Sequence, residues 1–198
     1  MVRRYCSILA ALAALLLVTP GGALAHPHGT VQCGLAVDFK DGQPRLLKGR
    51  LLFDQAHSTQ ALAVLRDPTT QKLDDAAQVR FLFGLRQQLA RWNWLLAAAS
   101  DGNPADLSEA SSPTLWWSDD GRLGLTVEML VTQKAAAPLG ATWTFSCQDP
   151  SRYWVSEFLE PETGITLAGC GKPVALPATK VTTGPLAGTA RADAQCTP

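Results

Sequence analysis

The chain has 198 residues, 46% of them hydrophobic, and its 17 Lys and Arg balance 17 Asp and Glu. That length suits one domain with a proper core rather than a disulfide-stapled miniprotein. The absence of a basic surplus argues against nucleic acid or an anionic membrane as partner.

In chain order, residues 1–25 read as a secretory signal. Arg3 and Arg4 precede an apolar run from Ile8 to Val18, followed by Thr19-Pro20-Gly21-Gly22 and the small-residue triplet Ala23-Leu24-Ala25. This is the order of a cleavable signal peptide, with an apolar run too short to span a bilayer comfortably. Cleavage is expected after Ala25, so the mature chain starts at His26-Pro27-His28 in the periplasm or outside the cell. No Cys follows the cleavage site to carry a lipid, and no later segment is apolar for long enough to cross a membrane. Loss of Arg3 and Arg4 takes the 17 basic residues to 15 against 17 acidic, a net charge of −2.

Residues 26–172 are expected to form a single α+β domain, a mostly antiparallel sheet or sandwich with an inserted helical pair. Val31, Cys33, Leu35, Val37 and Phe39 alternate as one buried face of a strand, Lys40-Asp41-Gly42-Gln43 turns, and residues 45–53 return antiparallel. Residues 54–66 predict a short helix with Leu62 and Leu65 inward, stopped by Asp67-Pro68. Residues 75–99 predict a longer one, because Leu82, Leu85, Leu89, Trp92 and Leu96 share a stripe at helical spacing, with 100–104 as its end. Strands follow over 114–118 and 122–133 around the turn at Asp119-Asp120-Gly121, then over 141–147, 152–159 and 163–168. After Pro173 the composition turns to Ala, Thr, Pro and Gly, and residues 173–198 read as a loosely ordered tail.

Cys6 departs with the signal, leaving Cys33, Cys147, Cys170 and Cys196. An even number in an oxidising compartment favours two disulfides. Three pairings are open, of which Cys170 with Cys196 would pin the tail. A thiolate metal site is the lesser reading, since no C-x-x-C is present.

The chain has 3 histidines, and cleavage would place two of them at the first and third positions of the product. The freed α-amine beside the His26 imidazole makes that residue a chelate, and both groups lose their protons near neutral pH. In an extended segment, side chains two apart point the same way, so His28 joins His26 on one ion. Nitrogen donors suit Cu(II), Ni(II) and Zn(II) better than Mg(II) or Ca(II). Pro27 has no amide hydrogen, which excludes the square-planar site that uses deprotonated backbone amides. His57, Asp54 and Asp149 are the candidates to complete the set, although His57, taken alone, reads as a surface or helix-cap residue. The 6 Trp fall inside amphipathic patterns and read as core. No catalytic residue is assigned: there is no G-x-S-x-G, no Cys with a paired His and no H-E-x-x-H.

His26-Pro27-His28 after a signal, Phe53-Asp54 at the end of the second strand, and Asp149-Pro150-Ser151-Arg152-Tyr153 before a late strand resemble the periplasmic family labelled domain of unknown function 1007. Its members look like HPH at the mature N-terminus, a strand pair ending in W-x-F-D, helices, and a D-P-x-Y-Y stretch. Leu51 replaces the Trp here, Trp154 the second Tyr, and 67–72 the acidic D-x-D-x-D-G loop of some relatives, so a calcium-type loop is not expected. The resemblance implies a periplasmic component of a transport system associated with nickel, cobalt or zinc permeases, with His26 and His28 as ligands and Asp54 and Asp149 as companions.

The leading expectation is therefore a non-catalytic periplasmic accessory protein that binds nickel, cobalt, zinc or copper for an inner-membrane permease. The alternatives are a secreted copper enzyme with an N-terminal histidine brace, and an interaction module that uses an exposed Trp face.

Overall fold

The computed structural model describes residues 29–132, 137–159, 165–175, 179–181 and 188–197. Their strands are β1 (Gly29–Lys40), β2 (Gln43–Phe53), β3 (Leu96–Ser100), β4 (Asn103–Pro104), β5 (Asp106–Leu107), β6 (Ser111–Trp117), β7 (Leu123–Thr132), β8 (Thr142–Cys147), β9 (Trp154–Phe158), β10 (Ile165–Ala168), β11 (Lys172–Ala175), β12 (Thr179–Val181) and β13 (Thr189–Thr197). Helices α1 (Gln55–Leu65) and α2 (Asp75–Leu89) are inserted between β2 and β3.

The strands form two sheets. The first runs β10-β1-β2-β7-β5, with β9 also on β1 and β6 also on β7; the second runs β11-β13-β8-β3-β4, with β12 on β13. Their apolar faces meet in one core: Phe39 of the first sheet packs edge-to-face on Phe145 of the second at 6.4 Å. Cys33 on β1 and Cys147 on β8 are joined by a disulfide across it, Cα to Cα 6.4 Å, and Cys170 is joined to Cys196, 5.5 Å apart. Two disulfides fit an oxidising compartment. Among the described residues no helix is long and apolar enough to cross a membrane.

The first hairpin forms where alternation predicts it. Val31, Cys33, Leu35, Val37 and Phe39 are all buried, and Asp41 and Gly42 take the positive φ values, 53° and 73°, of a tight hairpin turn. Helix α1 starts at its Asp54 cap and is tied to the first sheet by buried Ser58, whose Oγ accepts the Leu123 N–H at 2.9 Å.

The α+β class is corrected by these strands: the chain is mostly β, built on two sheets, with the helical pair as an excursion. Two findings account for the difference. The long helix predicted over 75–99 stops at Leu89, and its last part is strand β3. Between them Asn93, Trp94 and Leu95 have φ of 47°, 54° and 66°, a left-handed turn that reverses the chain. Left-handed backbone costs about 1–2 kcal/mol per residue, and burial of Trp94 and Leu95 beneath the sheets offsets it. Residues 189–197, expected in a loose tail, form β13, which lies between β8 and the β11 and β12 edge of the second sheet and buries Ala190, Ala192, Ala194 and Cys196. Strands β9 and β10 both pair with β1 in parallel, whereas the other strand pairs of the described residues are antiparallel, as expected for a mostly antiparallel sheet.

Candidate functional site

The end of the first sheet where β1 begins gathers side chains from three segments. Strand β2 ends at Phe53 and the chain turns at once into α1, so Asp54 and His57 sit one helical turn apart at the helix start. Strand β9 enters parallel to β1 with Trp154 opposite Gly29, which brings Tyr153 and Trp154 beside them.

Asp54 collects N–H groups from two directions. Its Oδ1 accepts the His57 backbone N–H at 2.9 Å, the normal capping bond, and its Oδ2 accepts the Thr30 N–H at 2.9 Å. The His57 ring lies over the same carboxylate, Nδ1 at 2.9 Å from Oδ1 and 3.0 Å from Oδ2. Partial burial on its own raises the Asp54 pKa, but the N–H donors of His57 and Thr30, with the His57 ring, outweigh it and hold the carboxyl below its ordinary value. A carboxylate only accepts, so Nδ1 carries the ring proton and, in the neutral ring, Nε2 presents its lone pair. That lone pair faces the Tyr153 hydroxyl at 3.2 Å.

Aromatic rings wall the imidazole. Trp154 is tilted against it with centroids 4.2 Å apart, Tyr153 stands edge-on at 5.9 Å, and Phe53 backs Trp154 at 5.3 Å. Gly29 lets the backbone pass through this cluster. A Cβ at that position would lie 2.5 Å from the Trp154 ring, 2.7 Å from His57 Cε1 and 2.8 Å from Asp54 Oδ2.

Asp149 organises the loop that carries the aromatics. Its Oδ1 accepts the Ser151 N–H at 2.8 Å and the Ser151 hydroxyl at 2.7 Å, and its Oδ2 accepts the Trp154 N–H at 2.9 Å.

Of the residues predicted from sequence, Asp54 and His57 are therefore in contact, and Asp149 is linked to them through Trp154. His26 and His28 lie outside the described residues. Among the described residues no group of three or more His, Cys, Asp and Glu is placed to hold a metal ion. Sequence reasoning missed Tyr153 and Trp154 as site residues. Tyr153 stood inside the quoted 149–153 stretch, whereas Trp154 read as core because its strand pattern is apolar.

No curated protein matches the chain. The model of the family described as protein of unknown function (DUF1007) matches residues 11–186, almost the whole chain, which belongs to that family.

Proposed function

We propose that the protein binds a late first-row divalent metal ion, nickel, cobalt, zinc or copper, at the N-terminus exposed by cleavage after Ala25, and carries it as cargo outside the cytoplasm for an inner-membrane permease. One observation carries this reading: strand β1 begins at Gly29 directly against an imidazole whose Nδ1 is held by a carboxylate and whose Nε2, among the described residues, faces only a phenol hydroxyl, that of Tyr153. A metal-binding His usually donates its other ring N–H to such a partner. His28 is covalently next to Gly29, and His26 is only two residues further, a reach of about 10 Å for three residues of extended chain.

The donors fit the ion. The His26 amine and ring, the His28 ring and His57 Nε2 make a nitrogen-rich set, which late first-row metals prefer. A site assembled from a chain end on one side and a fixed imidazole on the other suits transfer, since one arm can release first.

Calorimetric titration of protein starting at His26 with Ni(II) and Zn(II), compared with His26→Ala, His28→Ala and His57→Ala, tests the proposal. Weaker binding in all three variants is expected; equal affinity throughout would end it. The same contact of His57 with the start of β1 also supports a copper enzyme. Copper-dependent peroxide consumption by the loaded protein favours that reading, and its absence favours the carrier.

A further inference from the structure

We propose a second binding site, for a free apolar α-amino acid, in a pocket where the end of α2 meets β7. It shares no residue with the Asp54–His57 cluster and stands apart from the metal reading.

The pocket encloses about 200 Å³. The last turn of α2 and the left-handed turn after it supply Arg86, Ala90, Asn93 and Trp94, β7 supplies Met129, and the segment from Leu107 to Ala110 completes the wall. Trp94 and Met129 are each 2% exposed, so with Leu107 they make an apolar floor. A cavity of about 150 Å³ holds a benzene ring. This one therefore admits a branched aliphatic side chain or a single aromatic ring, against an indole and a thioether that both suit such groups.

The rim is built in advance. Ser108 is tied to β7 twice: its N–H donates to the Leu130 carbonyl at 2.9 Å and its Oγ accepts the Leu130 N–H at 2.8 Å. The Ser108 hydroxyl in turn donates to the Glu109 carbonyl at 2.9 Å, which steadies the residue carrying the rim carboxylate. The left-handed turn that sets Trp94 in the floor also brings Asn93 to the pocket, and strained backbone of this kind collects at ligand sites.

The ligand class follows from charge. Arg86 Nη2 and Glu109 Oε2 meet at 2.9 Å with their side chains 55% and 89% exposed. An exposed ion pair contributes little to stability, so this one opens readily. An anion alone would reach Arg86 but lie beside the Glu109 carboxylate, and a cation alone would lie beside the guanidinium. A zwitterion with both charges on one carbon answers both: its carboxylate takes Arg86, its ammonium takes Glu109, and its side chain enters the apolar floor.

Proton–nitrogen NMR of the ¹⁵N-labelled protein starting at His26, titrated with L-leucine and L-phenylalanine in the presence of a chelator, tests the proposal. Saturable shifts of the Trp94 indole N–H and of the Ser108 and Glu109 amides are expected, with Kd at or below about 1 mM. N-acetyl-L-leucine lacks the ammonium and L-leucinamide lacks the carboxylate, and each should bind about tenfold more weakly or worse. Arg86→Gln and Glu109→Gln should weaken leucine binding to the same degree, with thermal unfolding in the absence of ligand unchanged. Equal binding of the three leucine compounds, or unaltered leucine binding in both variants, would overturn the zwitterion assignment. No saturable shift with about 10 mM of either amino acid would overturn the site. The chelator keeps all of these outcomes separate from the metal reading.

Discussion

Thr30 and Asp54 hold each other from both sides: the Thr30 N–H reaches Asp54 Oδ2 at 2.9 Å, and the Asp54 N–H reaches the Thr30 carbonyl at 3.1 Å. One residue thus ends the β1–β2 ladder, caps α1 and orients His57. Asp74, which caps α2 through the Ala76 N–H at 2.8 Å, shows what a cap alone does. Asp54→Ala is expected to lower unfolding free energy by about 2–3 kcal/mol, the loss of a cap plus an orphaned Thr30 N–H. Asp74→Ala should lose about 1 kcal/mol. Urea denaturation with the disulfides intact measures both, and equal losses would remove the case for a second duty of Asp54.

Gly29 and Gly84 make a matched pair of substitutions. A methyl group at 29 meets Trp154, His57 and Asp54 within 2.8 Å, whereas one at 84, inside α2, meets nothing within 4 Å. Gly29→Ala is expected to destabilise by about 1–3 kcal/mol through overpacking, and to shift the His57 Hε1 resonance as the indole moves. Gly84→Ala should stabilise by about 0.5–1 kcal/mol through helix propensity. A neutral Gly29→Ala with an unmoved His57 resonance would show that the cluster is looser than its distances indicate.

The two disulfides close loops of very different length, with sequence separations of 114 for Cys33–Cys147 and 26 for Cys170–Cys196. Chain entropy alone assigns about 4.8 and 3.5 kcal/mol to them at 25 °C. Replacement of each pair by Ala should therefore cost more for the first, which also crosses the core between the sheets. Thermal unfolding of the two double variants gives the order, and the reverse order would mean that the second sheet depends on its outer strands more than on the bridge to the first.

Asp67 offers a local pH probe away from the histidines. The Thr70 and Thr69 N–H groups, at 2.7 Å and 2.8 Å from its Oδ1, hold its carboxyl below the ordinary aspartate range. With the folded pKa depressed, its contribution is complete above the unfolded value of about 3.9 and disappears as the pH falls through the lower folded value. The Thr69 and Thr70 amide resonances should move together with a midpoint below that of a free aspartate, and a midpoint at the free value would mean that the turn is not held by Asp67.

How much of this was legible from sequence depends on which interactions define each part. The β1–β2 hairpin was, because Val31 to Phe39 alternate large apolar residues with polar ones and Asp41-Gly42 supplies a turn that few other residues fit. The end of α2 was not. Leu96 continues the stripe of Leu82, Leu85 and Leu89, and the alanines after it satisfy helix and strand alike, so only burial of Trp94 and Leu95 decides the reversal. Strand β13 was hidden for a related reason, since its buried face is Ala190, Ala192, Ala194 and Cys196, too small to read as a core strand. At the site, Asp54 and His57 are three apart, and helix capping links them. Tyr153 lies 96 residues from His57 and meets it only through the parallel pairing of β9 with β1.

That pairing, with Gly29 held at the cluster, would give the expected cleavage after Ala25 a chemical consequence that can be measured. On the metal reading, the nitrogen of His26 is a donor to Zn(II) only once the peptide bond to Ala25 is gone, because an amide nitrogen that keeps its proton has no lone pair to offer and Zn(II) does not displace that proton at neutral pH. A chain that keeps Ala25 retains the three imidazoles and the whole fold, yet loses the five-atom chelate of amine and ring at residue 26. Its affinity for Zn(II) should drop at least tenfold, about 1.4 kcal/mol, with unfolding in the absence of metal unchanged. Equal affinity would leave the imidazoles as the whole donor set, and would exclude the histidine brace along with the amine.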